Sequence, residues 1–453
     1  MHTFTTQAKK EDPWTRRLIR AADQFSSQAA SIAELNSTVI PELEANAEDS
    51  RRDMVRELKK NLDKGDLDEF KRGAAQFFEK IDSVLKEKGG AGETGESNFS
   101  VRFKGSAGPA FGDLLIRFSR SSLADPHHQL LRNSLLVSTI SGFEVFFGRV
   151  ARSLIEINPS AFSDSDYRFT FQELSEFESM QDARDFLMER QVSKLLYESL
   201  DGWDKWLKRA SGGVTMAELP VEWAVVREAF ARRNLIVHAD GVANHVYLGT
   251  LKKVDSQRDW GVEIGQKLSV DGEYLAKVLE QMLALGRLLS VALGMKIKKA
   301  NAAEFENSLR LDVDRALHAG HWRTVKALSK YALLNCKLTR SAEISFQVSE
   351  WVARREIHGS ASIRAEVECW DVSGLADSHS HKKHVLIGDR ESVKENLRML
   401  VDKGDITLYE VATNPLYLEF RGDFTNTPQG VGSIAIAESS SYSEGAEPGE
   451  AGN

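Results

Sequence analysis

Arg233, Asn234 and His238 are the side chains whose types and spacing suit a reaction, and they fall in the run EAFARRNLIVHADGVANHVYL at 228–248. A helix turns about 100° per residue, so with Val226 at zero, Phe230 falls at about 40°, Val237 at about 20° and Arg233 at about 340°. Arg233 thus interrupts an apolar stripe. A guanidinium there is costly unless it meets a carboxylate or lines a cleft or an interface. Asn234 and His238 lie at about 80° and 120° on the same wheel, so the three share one arc and can face one ligand. The set suits phosphodiester cleavage by the 2′-hydroxyl of RNA. Histidine moves protons near neutral pH, and a planar cationic fork matches phosphate oxygens as charge builds on the phosphorane. This chemistry calls for no metal and no cofactor.

Spacing alone is not specific. Arg120 with His127, and Arg315 with His321, satisfy a loose Arg-x(4–6)-His pattern. The first crosses Pro126, and the second has Ala316 where a polar residue should follow. On spacing alone, 228–248 fits better an arginine paired to a buried carboxylate with a capping histidine near a helix end.

The elements that must position these residues read as helices. Residues 1–88 carry charged helical patterns, interrupted near Pro41 and Gly65, and are expected to form a solvated appendage. A Gly/Ser-rich linker follows at 89–108. The central region, 109–300, has an apolar helix at Leu130–Ile157, a second at Ala183–Lys208, a third at Val221–His238 and a fourth at Tyr274–Leu293. A short extended stretch is expected at His245–Leu251. Residues 301–421 change to short helical pairs, and 422–453 are expected to be a disordered tail. The fold class is mostly α.

The run Arg232-Arg233-Asn234-Leu235-Ile236-Val237-His238, followed by Asp240-Gly241 and Tyr247, resembles the signature of the HEPN superfamily of helical RNases and RNase-derived modules. The resemblance extends over about Leu130–Lys298 and includes SGFEVFFGRV, which carries Glu144, and a closing helix that begins SVDGEYLAKVLEQ. It implies a HEPN-like helical bundle, usually dimeric, with two motifs meeting at the subunit interface. It also implies a metal-independent endoribonuclease in a toxin or phage-defence setting, with RNA as substrate and a neutralising or regulatory protein as a further partner. The competing expectation is a non-catalytic HEPN scaffold for dimerisation or ligand binding. Arg233, Asn234 and His238 fill the motif. Glu144 is expected to neutralise Arg233 or to support His238, while Arg232 and His245 are expected to face solvent or the RNA backbone. The region CWDVSGL, with the helices after it, loosely resembles tetratricopeptide-like pairs that follow effector domains.

Composition agrees with a globular chain. Of 453 residues, 42% are apolar and 28% charged, and 59 Lys and Arg against 67 Asp and Glu leave −8, which excludes a wholly basic nucleic-acid sheath. Cys336 and Cys369 are too few for a disulfide framework and fit a reducing cytoplasm. No membrane span is expected, because Leu275–Met295 carries Lys277, Glu280 and Arg287 and reads as amphipathic. Ser378–His384 is expected to be a solvated loop, and His318 with His321 a helix-end packing site.

Overall fold

The computed structural model describes residues 13–60, 68–73, 75–76, 108–112, 126–158 and 169–421. All but the last residue of the linker at 89–108, and the tail at 422–453, lie outside the described residues. Among the described residues the secondary structure is helical, with no strand and one isolated antiparallel bridge between Val242 and Lys267. The chain forms two compact units, Met1–Ala353 and Arg354–Asn453.

The first unit is built from α1 (Pro13–Glu34), α2 (Ile40–Lys60), α3 (His127–Ile157), α4 (Phe171–Ser175), α5 (Met180–Leu196), α6 (Leu200–Ser211), α7 (Trp223–Ala239), α8 (His245–Val254), α9 (Gly272–Ile297), α10 (Ala302–His318), α11 (Trp322–Asn335) and most of α12 (Arg340–His358). At its centre lies α9, buried at every residue from Val278 to Val291. It is therefore not amphipathic. Its charges are buried because they are paired: Arg287 meets Asp23 at 2.6 Å and Asp312 at 3.4 Å, and Glu280 accepts the Arg323 backbone N–H at 2.5 Å. Gly294 lets the Phe305 ring approach closer than any Cβ would permit.

By length and composition α3 and α9 can each cross a bilayer, which corrects the expectation that no segment can. In this structure α9 is enclosed by other helices, and α3 buries one face.

The N-terminal helix is not an appendage. Trp14, Leu18, Ala22, Phe25, Ala29 and Ile32 of α1 are buried in the same core as α3 and α9. The Trp14 indole donates to the Ser153 carbonyl at 2.9 Å, and Phe25 packs edge-on to Phe143 with centroids 5.6 Å apart. A helix with that spacing buries its stripe however charged its other face is. No break occurs at Pro41. A π-helical turn, Leu35–Val39, links α1 to α2 just before it, where a missing N–H is best tolerated.

The core also runs past residue 300. Phe305, Leu309, Val313, Val325 and Leu328 belong to it, so the change in sequence texture after Ala300 does not coincide with a break in packing.

The second unit contains α13 (Arg364–Glu368), α14 (Asp377–Ile387), α15 (Arg390–Lys403), α16 (Leu408–Thr413) and a 3-10 segment, Pro415–Phe420. Ser378–His384, expected as a loop, lies within α14. His381 and Val385, four residues apart, face inward together and give this polar run a buried side. His381 is fully buried and stacks on Tyr417 at 5.7 Å.

Candidate active site in a groove beside α7

The groove is framed by a helix break and a sharp corner. The single helix expected at Ala183–Lys208 is divided into α5 and α6, because Ser199 caps α6 by accepting the Gly202 N–H at 3.2 Å. Trp203 secures the break from inside, donating to the Leu195 carbonyl at 2.8 Å and stacking on Phe147 at 4.5 Å.

The corner follows α7. Asp240 at φ 50° and Gly241 at φ 73° both adopt the left-handed conformation, which ends the helix two residues after His238. Gly241 also lies so close to the Leu268 carbonyl that a Cβ would sit 3.3 Å from it. The chain then enters α8. This segment is helical, not extended, since Asn244 caps it through the Tyr247 N–H at 3.0 Å and Tyr247 and Leu251 bury one face at helical spacing.

Between α5–α6, α7 and α8 runs an open groove of about 1110 Å³. From α7 it is lined by Arg227, Phe230, Arg233, Asn234 and His238, from α3 by Glu144, from the α5–α6 junction by Tyr197, Glu198 and Asp201, and from α8 by Thr250 and Lys253. Arg233, Asn234, His238 and Glu144 therefore share one wall system, whereas Arg232 and His245 lie outside it.

Arg233 is half-buried. Its Nη2 donates to Glu144 Oε2 at 3.0 Å, its Nη1 donates to Asn234 Oδ1 at 2.9 Å, and its buried Nε has no partner. Burial pushes the Glu144 carboxyl above its ordinary value, with the Arg233 charge pulling in the opposite direction. His238 is exposed, and no side-chain hydrogen bond ties it down among the described residues. Arg227 holds Asp201 at 2.6 Å and keeps that carboxyl below its usual range.

Arg232 has a different environment from the solvent-facing one expected. Its Nε donates to Glu228 Oε1 at 2.8 Å and to the Tyr247 hydroxyl at 3.2 Å, its Nη1 donates to the Ser269 carbonyl at 3.0 Å, and its guanidinium lies 4.8 Å from the Tyr274 ring centroid. Burial opposes its charge, but the Glu228 carboxylate holds it firmly cationic. Burial and the Glu228 charge push both the Tyr247 and Tyr274 hydroxyls well above the ordinary tyrosine value, so they act as donors. Tyr247 donates to Glu228 Oε1 at 2.5 Å and Tyr274 to Oε2 at 2.6 Å. This network fixes α7 to α8 and α9 behind the groove. Glu228 at its centre was not singled out from the sequence, although Glu228 and Arg232 are an i, i+4 pair.

His245 is exposed at the first turn of α8. His318 and His321 do not come together with a third metal-ligating side chain among the described residues.

No family model, no curated protein and no solved structure matches this chain.

Proposed function

We propose that the protein is a metal-independent endoribonuclease of the HEPN kind, cutting RNA with the substrate's own 2′-hydroxyl. The observation that carries this reading is that Arg233, Asn234 and His238 line one open groove, with the imidazole exposed and the guanidinium half-buried beside it. His238 serves as general base or acid. Arg233 stabilises the phosphorane, and Asn234, already bonded to Arg233, orients the fork. The test is to incubate the purified protein with mixed cellular RNA, with and without chelator, and to type the ends. Ends bearing 2′,3′-cyclic phosphate and 5′-hydroxyl, formed equally with chelator, support the reading; no cleavage, or cleavage that chelator abolishes, overturns it.

A cytoplasmic homodimer acting in a toxin or phage-defence setting, restrained by a regulatory protein, is proposed from the resemblance. Val237 and Val246 add support for the dimer: they are 51% and 79% exposed, one next to His238 in the chain and the other lining the same groove, apolar surface suited to a second copy. Growth arrest on expression of the wild type, relieved in His238→Ala, tests the setting.

A second reading, a non-catalytic HEPN scaffold, is favoured by the pairing of Arg233 with Glu144, which alone accounts for a cation on this face.

A further inference from the structure

The pairing between Arg233 and Glu144 raises the question of how a phosphate reaches the guanidinium. A phosphate held by two donors of one arginine uses either Nε with Nη2 or Nη1 with Nη2. Nη2 belongs to both edges, and Nη2 is where the Glu144 carboxylate sits. Nη1 is engaged by Asn234, and Nε is buried with no partner. The carboxylate thus occupies the place on the fork that a phosphodiester needs.

We infer that Glu144 is a positioning residue, the counterion that a substrate phosphate displaces from Arg233, and that the displaced carboxylate takes up one proton from solvent. The inference rests on the phosphodiester-binding reading of the groove, and not on cleavage. Two anions cannot both be compensated by one half-buried guanidinium, so the weaker acid of the two accepts a proton, and a diester phosphate is far too acidic to be the one. The environment of Glu144 already leans that way. Burial favours its neutral form and the Arg233 charge is what opposes this, so a phosphate that neutralises Arg233 removes the opposition.

The other titratable or charged groups facing the groove are Tyr197 and Glu198 from the α5–α6 junction, Asp201 on α6 with its partner Arg227, His238 on α7, and Lys253 and the Glu228-bound Tyr247 on α8. Of these, His238 is the one imidazole, a second side chain that can exchange a proton with solvent. The effect is therefore measured in a His238→Ala background.

The probe is a fluorescent single-stranded oligonucleotide of 2′-O-methyl RNA, which keeps the phosphates and lacks the nucleophile. Its affinity for full-length His238→Ala is measured by anisotropy between about pH 5 and 8. Binding should tighten on acidification, by at most about tenfold per pH unit for one linked proton. With Glu144→Gln added, binding should be several-fold tighter at the alkaline end and nearly independent of pH. Equal affinity of the two proteins at the alkaline end, persistence of the slope in the Gln variant, or no binding at all overturns the inference. If Glu144→Gln does not fold, calorimetry of His238→Ala in two buffers of different ionisation enthalpy reads the proton directly, and a buffer-independent heat is the overturning result. Cleavage of unmodified RNA by wild type is scored separately. Failure to cut with pH-linked binding intact sinks the nuclease reading alone, and cutting without pH-linked binding sinks the role of Glu144 alone.

Discussion

The Tyr247 hydroxyl donates to Glu228 Oε1 at 2.5 Å, and this bond ties α8 to α7 across the corner that follows His238. Glu228 also receives Arg232 and Tyr274, so one buried carboxylate organises three donors from three helices.

Removing that carboxylate leaves Arg232 uncompensated. Glu228→Ala is expected to lower the stability of the chain by about 3–5 kcal/mol. Tyr247→Phe removes the bond donated to Glu228 and the one accepted from Arg232, and costs about 1–3 kcal/mol, the range for leaving a buried acceptor short of a partner. Urea denaturation followed by circular dichroism ranks the two. A Glu228→Ala protein as stable as wild type would show that the network contributes little.

His238 lies outside that network. His238→Ala should reduce RNA cleavage by roughly 10²–10⁴-fold, the range for loss of an acid–base group. Because the imidazole is exposed, the melting temperature should stay at the wild-type value. Unchanged cleavage rates in the variant contradict the assigned role.

Val237 and Val246 offer a test of the dimer. Sedimentation at low micromolar concentration should give a two-subunit species, and Val237→Glu with Val246→Glu should convert it to monomer. Mixing wild type with excess His238→Ala should depress cleavage more than in proportion if two motifs share one site. A fully active wild-type monomer rules the assembly out.

In the second unit, burial first, then the charges of His384 and Lys382, push the His381 imidazole down to about 4 from 6.5. Neither ring nitrogen has a partner. As pH falls below 6.5 the unfolded chain takes up a proton that the folded one refuses until about 4, so this residue's contribution to stability is lost across that window. Hydrogen exchange at the α14 amides should accelerate from pH 6.5 to 4, beyond its intrinsic pH dependence, in wild type and less so in His381→Leu.

Asp312 has the opposite sign. Burial raises its carboxyl to about 6, with Arg287 and Arg315 opposing, against 3.8 when free. Between those values the folded chain holds a proton that the unfolded chain releases, so stability falls as pH rises through the window. Asp312→Asn should flatten that part of a plot of urea midpoint against pH.

The helical class, α7 itself and the common arc of Arg233, Asn234 and His238 were legible because all follow from the turn per residue. The burial of Arg232 is not legible on the same wheel. Arg232 lies at about 240° and Glu228 at about 200°, opposite the apolar stripe, where sequence periodicity suggests solvent. That face is covered because α8 folds back after Asp240 and Gly241, and no pattern within α7 records the return. Val237 fails in the other direction: it continues the stripe, yet it is 51% exposed while Ile236 and Ala239 in the same turn pack on core clusters. In α1, the stripe from Trp14 to Ile32 has the right spacing for burial, but the charged face of the same helix masks it, and what covers the stripe, α3 and α9, lies much further along the chain.

The all-round burial of α9 has a consequence during synthesis. One of its neighbours, α1, leaves the ribosome long before it, and another, α11, emerges only after it. Once α9 has left the ribosome and until α11 follows, the nascent chain carries a bilayer-like helix bare on one side. Such a chain is a natural client for chaperones that hold hydrophobic segments, and completion of Trp322–Asn335 is the event that releases it.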